Sequence, residues 1–231
     1  MKILGFIPAR KGSKGIKNKN MVLLNNKPLI YYTLSIAKRI KSNVFPFVST
    51  DSKKIKIYSE KIGLKNDYLR PRKLSGDSSS IVSAAKHALI WLQKYKKMDF
   101  DAILLLQPTT PIRNIKMLKK AIAKFKKENL QSLISVSQIK EHPYECVKYN
   151  NKNWNYLIKN PEKNKYGRQF YNKKYYFIDG SFYIAKISFL KKYNSFVNSK
   201  YTKLFIQRKN FSIDIDNKED LLTASSFIRK N

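Results

Sequence analysis

The chain is poor in several things that common function classes require. A single cysteine, Cys146, in 231 residues rules out an intramolecular disulfide and suits a reducing compartment. Apolar runs are short: none approaches the roughly 18 residues of a membrane span, and Met1 to Pro8 is too brief for a signal-peptide core. A soluble, cytoplasmic protein with no membrane partner is therefore expected. Acidic residues are scarce, 15 against 48 Lys and Arg, for a net charge of +33. Such an excess invites a non-enzymatic, polyanion-binding reading. The lysines, however, occur in every segment, as in Lys53-Lys54-Ile55-Lys56 and Lys94-Tyr95-Lys96-Lys97. They form no stripe and accompany no helix-turn-helix or zinc pattern, so a solvated lysine surface without a specific nucleic-acid partner is the simpler account. A hydrophobic content of 42% is ample for one sizeable domain over residues 1–231.

What is present begins at the N-terminus. The apolar run Ile3-Leu4-Gly5-Phe6-Ile7 predicts a strand, and Pro8-Ala9-Arg10-Lys11-Gly12-Ser13-Lys14-Gly15-Ile16-Lys17-Asn18-Lys19-Asn20 follows it. Gly12 and Gly15 let main-chain N–H groups approach a ligand closely, while Arg10, Lys14 and Lys19 add positive charge. The loop reads as an anion cradle suited to a triphosphate. It is neither Gly-x4-Gly-Lys-Ser/Thr, because Ile16 follows Gly15, nor Gly-x-Gly-x-x-Gly. Its place at the carboxyl end of a first strand, where open α/β sheets put their ligands, favours a site over a basic surface turn.

Downstream, strands and helices alternate. Helices are predicted over Pro28–Lys41, Lys53–Lys61, Ile81–Tyr95 and Lys116–Lys127, with strands at Val44–Ser49, Asp101–Leu106 and Leu133–Val136. Asp77 or Ser78 is the expected cap of the third helix, and His87 falls on that helix with a surface role. Asp101–Leu106 is nearly unbroken apolar sequence, as in a parallel strand covered on both faces. Alternation of this kind implies a parallel sheet with right-handed crossovers. From about Ile139 to Lys203, Tyr, Asn and Lys dominate in short alternating pieces. That region, 139–203, reads as an inserted lobe and a reasonable dimer surface. A strand at Asn210–Ile215 and a helix at Lys218–Arg229 close the chain.

Two further places carry polar chemistry. Gln107-Pro108-Thr109-Thr110-Pro111 ends the central strand, and its prolines leave Gln107, Thr109 and Thr110 at the carboxyl end beside the cradle. An amide there offers a donor and an acceptor to a base or a sugar hydroxyl, though a structural turn is an alternative. Asp214 and Asp216, two apart on a predicted strand, share a face and suit Mg²⁺ bridging phosphate oxygens. The competing reading makes Asp216 a helix cap and Asp214 a partner for lysines.

The segment Ala-Arg-x-Gly-Ser-Lys-Gly-x-x-x-Lys-Asn, residues 9–20, resembles the signature of the acylneuraminate cytidylyltransferases, the CMP-sialic acid synthetase family. Further similar blocks follow in the family's order: Ser49-Thr50-Asp51, Leu69-Arg70-Pro71, Leu105 to Arg113, His142-Pro143, Arg168-Gln169, Gly180-Ser181-Phe182-Tyr183 and Ser212 to Asp216. The resemblance implies a Rossmann-like three-layer sandwich with a mostly parallel sheet, of the nucleotide-diphospho-sugar transferase type. It also implies a homodimer whose lobe crosses to the partner. The implied activity is transfer of CMP from CTP to a nine-carbon 2-keto-sugar acid with Mg²⁺, releasing pyrophosphate. Ala9, Arg10, Gly12, Ser13, Lys14, Gly15, Lys19, Asn20 and Ser80 would then bind nucleotide, and Gln107, Thr109, Arg168, Gln169 and Tyr183 the sugar. Arg10, Lys19, Asp214 and Asp216 would be catalytic, the two aspartates holding the metal.

The sequence departs from the family pattern twice. Glu145 stands where many relatives carry a basic residue, and Tyr176-Phe177-Ile178-Asp179-Gly180 replaces a Tyr/Phe-Arg-Pro-Asn-Gly segment. Two potential carboxylates in place of cations are expected to change which sugar substituents are accepted. The nearest alternative enzyme is a cytidylyltransferase for an eight-carbon acid, whose usual Arg-Leu-Pro-Gly-Lys continuation is absent here.

Overall fold

A computed structural model describes residues 1–13, 15–65, 67–139, 141–158, 174–207 and 213–229. Strand β1 (Ile3–Pro8) is buried along its length. Its alternating side chains serve both faces: Ile3 and Ile7 enter one core, Leu4 and Phe6 the other. A small hairpin, β2 (Leu23–Leu24) and β3 (Lys27–Pro28), turns at Asn25 and Asn26, both at positive φ. Asparagine tolerates that backbone better than most residues. Helix α1 (Leu29–Arg39) begins directly after Pro28, and edge strand β4 (Phe45–Ser49) accommodates Pro46 because an edge has spare N–H positions. The Ser52 hydroxyl caps α2 (Lys53–Lys61) by accepting from the Ile55 N–H.

Helix α3 (Ile81–Lys96) is capped by Ser80, which accepts from the Val82 N–H at 3.1 Å, not by Asp77 or Ser78. Only the hydroxyl next to the first helical residue reaches that donor. Strand β5 (Ala102–Leu105) is wholly buried, and α4 (Ile115–Lys127) starts at Asn114, whose carboxamide oxygen accepts from Lys116 and Met117. After β6 (Ser132–Gln138) comes an exposed hairpin, β7 (Val147–Tyr149) and β8 (Trp154–Tyr156), then β9 (Tyr176–Lys186), α5 (Ile187–Tyr193), β10 (Thr202–Gln207) and α6 (Lys218–Arg229).

The main sheet runs β10-β6-β9-β5-β1-β4, with β9 antiparallel between β5 and β6 and the other neighbouring pairs parallel. The expected α/β sandwich with a mostly parallel sheet is therefore present. Helices α1, α2 and α4 cover one face, around Leu34, Ile55 and Phe125. Helices α3 and α5 cover the other, around Ala85 and Phe189. Among the described residues, no helix is long and apolar enough to cross a membrane.

Two expectations need correction. The stretch 139–203 is not a lobe throughout: β7 and β8 form a separate two-stranded sheet, but β9 lies at the centre of the main one. Its polar interruptions, Asp179 and Ser181, hid a buried strand because their partners come from elsewhere in the chain. Nor do residues 213–215 form a strand. They follow the β5 turn through a single bond from the Ile215 N–H to the Thr109 carbonyl at 2.8 Å. The alternation survives the loss of the strand, since Ile215 is buried and the flanking aspartates are exposed.

Leu104 lies in the centre of this sheet and is 0% exposed, whereas Leu204 on edge strand β10 is 51% exposed. Leu104→Ala is expected to cost about 2–5 kcal/mol in urea denaturation, and Leu204→Ala less than about 0.5 kcal/mol.

Candidate active site

The carboxyl ends of β1 and β5 open onto a cavity of about 350 Å³ lined from four parts of the chain. The cradle contributes Arg10, Gly12, Ser13, Lys19 and Asn20; the segment before α3 contributes Asp77 and Ser80; the β5 turn contributes Gln107 and Thr109. Asp214 and Asp216 come from the segment before α6. The sheet explains the convergence: parallel strands bring their exit loops to one edge, however far apart they lie in sequence.

The cradle and the aspartates are in contact. A Cβ on Gly15 would lie 2.2 Å from the Asp216 carbonyl oxygen, so only glycine permits the approach. Lys19, 8% exposed, donates to the Ile215 carbonyl at 2.7 Å and to Asp216 Oδ1 at 2.8 Å. Behind them, Ile16 and Ile215 share an apolar cluster with Leu24, Leu29 and Ala224. Burying a side chain of this size contributes ~1.5–3 kcal/mol, which holds the loop down against the like charges it carries. Asn217 caps α6 by accepting from the Asp220 N–H, and the Asp220 carboxylate accepts from the N–H groups of Asp216 and Asn217. This reciprocal box fixes the main chain beneath Asp216 and leaves its side chain to the cavity.

The remaining expected residues divide. Arg10 Nη1 pairs with Asp77 Oδ1 at 2.7 Å, so one cradle cation already has an anion across the cavity. Asn20 donates its amide to the Arg10 carbonyl at 2.9 Å and shapes the loop. Ser80 both lines the cavity and caps α3. Ala9 does not line the cavity: its N–H donates to Ser49 and its side chain is buried, so it extends the β1–β4 pairing. Tyr183 also lies outside the lining, packed in the α3 face of the core. Burial, then the charges of Asp214 and Asp179, raise its pKa. Lys14, Arg168 and Gln169 lie outside the described residues.

Asp179 faces inward. At 3% exposure it accepts from Ser135 and Ser137 hydroxyls, the Ser181 N–H and the Gln207 amide, at 2.5–3.0 Å. It does not line the cavity, so the expected second carboxylate against a sugar is absent from that place. Glu145 is exposed and does not line it either. His87 is half-buried, with Nδ1 3.0 Å from the Tyr68 hydroxyl, and burial and then Lys73 lower its pKa.

Two arginines without an expected role stand at the site. Arg70 lines the cavity at 6% exposure, and its Nε and Nη2 have no hydrogen-bond partner among the described residues. Burial lowers its pKa, opposed by Asp51 and Tyr68 and assisted by Arg10. A buried cation with idle donors is costly, and Arg70 bears that cost at the cavity wall, with both unpartnered nitrogens closed off from solvent. Arg113 is fully enclosed beneath the β5 turn; burial pulls its pKa down to about 9, opposed by Asp214 and then Asp179. The signal available for both was the resemblance, since Leu69-Arg70-Pro71 and Leu105 to Arg113 are two of the family-like blocks.

Two carboxylates at one cavity, with a phosphate-type cradle beside them, fit a hard divalent cation that takes its remaining oxygens from substrate and water. Among the described residues there is no group of three or more His, Cys, Asp or Glu arranged to hold a metal. The donor set thus suits Mg²⁺ shared with a ligand, not a closed structural site.

Comparison with known proteins bears on the same geometry. The sequence model of the family described as Cytidylyltransferase matches residues 4–229. CMP-N,N'-diacetyllegionaminic acid synthase of Legionella pneumophila is 34% identical over 100% of this chain and 98% of its own length. N-acylneuraminate cytidylyltransferase of Streptococcus agalactiae serotype III is 30% identical over 96% of this chain, which spans 52% of that longer protein. In fold, the chain is similar to a solved CMP:2-keto-3-deoxy-manno-octonic acid synthetase complexed with CTP. The TM-score is 0.70 and the identity 15%, over 100% of this chain and 99% of that one.

Gly15→Ala tests the contact on which the site is built. The variant is expected to lose about 1–3 kcal/mol in chemical denaturation and, in a crystal structure, to show the Lys19–Asp216 pair broken.

Proposed function

The chain belongs to the cytidylyltransferase family, and from that premise we propose that it transfers CMP from CTP to a nine-carbon 2-keto-sugar acid. The observation that carries the proposal is the cavity itself. Its wall includes the Arg10–Lys19 cradle, Arg70, the two aspartates, Gln107 and Thr109.

In this reading the triphosphate lies along the cradle. Gly12 and Ser13 offer main-chain N–H groups, and Arg10 exchanges Asp77 for phosphate oxygens. Lys19, already beside Asp216, adds charge where the pyrophosphate departs. Arg70 gives its idle donors to the nucleotide, and Ser80 and Asn20 border the nucleoside. Asp214 and Asp216 would hold Mg²⁺, which when bound would supply Lewis-acid polarisation of the α-phosphate and a lowered pKa for the attacking hydroxyl. Gln107 and Thr109 orient the sugar acid so that its anomeric oxygen faces the α-phosphorus in line with the leaving group. A bond forms from that oxygen to the α-phosphorus, the bond to the β-phosphate bridge breaks, and pyrophosphate leaves. Arg168 and Gln169 complete the sugar side, Arg168 pairing with the carboxylate.

The sugar belongs to the sialic, legionaminic or pseudaminic class. The enzyme works in the cytoplasm as a homodimer. Support for the dimer comes from the β7–β8 hairpin, which exposes Tyr149, Trp154, Tyr156 and Leu157, an aromatic patch of the kind buried between subunits.

Incubation with CTP, Mg²⁺ and a panel of eight- and nine-carbon 2-keto acids is expected to release pyrophosphate with at least one nine-carbon acid. Release with the eight-carbon acid alone, or with none, would sink the assignment. CTP with Mg²⁺ should also raise the melting temperature more than ATP does. Asp214→Ala is expected to lower kcat at least about 100-fold with the fold retained, whereas Arg70→Lys should raise the KM for CTP about tenfold or more, each measured by the same pyrophosphate assay.

A further inference from the structure

Arg113 does not line the cavity, yet it ties the β5 turn, which does, to β9 and α1. Its Nε donates to the Ser181 carbonyl on β9 at 2.6 Å and its Nη1 to the Thr33 hydroxyl on α1 at 2.8 Å. Its Nη2 donates to the main-chain carbonyl of Gln107. Those three partners come from parts of the chain 80 and 68 positions away and from the turn six positions before it. One planar fork thus fixes the turn that carries Gln107 against the strand that follows Gly180.

Gly180 shows how close that fit is. Its φ is +70°, and a Cβ there would lie 3.2 Å from Thr110 Oγ1, 3.8 Å from Gln107 Oε1 and 3.9 Å from Asp214 Oδ2. The Gln107 side chain and the Asp214 carboxylate therefore both approach the same glycine. Thr110 adds a second tie by donating its hydroxyl to the Gly180 carbonyl at 3.3 Å. Asp214 and Asp179 both oppose the burial of the Arg113 charge, so the guanidinium is charged at neutral pH. Asp179 in turn is tied to the Ser181 N–H, one peptide from the carbonyl that Arg113 holds.

We propose that Arg113 is a positioning residue, which acts from beneath the cavity through the Gln107 and Ser181 carbonyls to hold the acceptor half of the site in shape before the sugar acid binds. This rests on the reading of Gln107 as an acceptor-side residue. The nucleotide half has its own anchors, Lys19 on Asp216 and Ile16 against Ile215, which do not include Arg113. The bond from the Ile215 N–H to the Thr109 carbonyl links the two halves, but Arg113 holds only the β5 turn directly, so its loss falls first and most heavily on the acceptor. Charge alone does not meet the requirement: a lysine ammonium presents one compact point and cannot reach three acceptors spread around a plane.

The test uses Arg113→Lys together with Thr33→Val, a near-isosteric change that removes one of the three acceptors and keeps the chain foldable if the first variant fails. Arg113→Lys is expected to raise the KM for the sugar acid about tenfold or more, with the KM for CTP within about twofold and the CTP-induced melting shift retained. Thr33→Val should move the same constant in the same direction by about threefold. Equal rises in both KM values, or wild-type constants in Arg113→Lys, would overturn the proposal. Crystal structures of the variants provide a readout independent of turnover. Displacement of Gln107 from Gly180 by about 1 Å, the scale of misplacement that impairs catalysis, supports the brace, and an unmoved Gln107 refutes it. If the wild-type protein transfers CMP to no acid while Gln107 still moves in the variants, the functional reading fails and the brace stands.

Discussion

The contact between Gly15 and the Asp216 carbonyl is the constraint on which the rest of the site depends. It joins two loops 201 positions apart, and it exists because one residue lacks a side chain and its neighbour, Ile16, is buried against Ile215. Apolar burial supplies the attraction, and the missing Cβ permits the distance. The polar groups that follow are then fixed by geometry. Ile215 turns inward, so Asp214 and Asp216 turn outward, and Lys19 lies within reach of both the Ile215 carbonyl and the Asp216 carboxylate.

The charges of the cavity are arranged in pairs that a ligand can exchange. Arg10 holds Asp77 and Lys19 holds Asp216, so a strongly basic loop stays folded without its proposed triphosphate. Arg70 differs, because burial has removed its solvent and left two donors without a partner among the described residues. The cavity tolerates the empty state through the pairs it has closed, and in the proposed function a phosphate-bearing ligand exchanges with them. The many surface lysines take no part in this, which is why the net charge says little about what the protein binds.

The antiparallel strand β9 gives the acceptor side its form. Lying between β5 and β6, it brings Gly180 under Gln107 and Asp214, and it places Asp179 within reach of four donors from β6, β10 and its own chain. Asp179 and Arg113 are both charged groups in a dry interior, and each is tolerated because hydrogen bonds satisfy it on several sides. The proposed division of labour follows from this layout. In that proposal nucleotide contacts hang on the β1 exit loop and the segment before α6, and acceptor contacts hang on the β5 turn, which β9 supports without lining the cavity.

Much of this was legible in the residues themselves. Local patterns predicted α2 and α6 at their observed bounds and placed α1, α3 and α4 within a few residues, because the period of apolar side chains and the capping hydroxyls and amides act over one or two turns. The cradle, the β5 turn and the aspartate pair were visible for the same reason: each is a short, contiguous word. What could not be read were the facts that depend on distant partners. Asp179 looked like a new carboxylate for a sugar until Ser135, Ser137 and Gln207 proved to surround it; β9 looked like part of an inserted lobe until β5 and β6 enclosed it. Arg70 and Arg113 lay within family-like blocks, but nothing local gave either a role, since burial and hydrogen bonding across 68 or 80 positions are properties of the folded chain. The sequence by itself determined the elements and the chemistry available at each strand end. Only the tertiary structure decided which of those groups face the cavity and which face one another, because side-chain partners separated by more than a few turns are chosen by packing, not by neighbours in the chain.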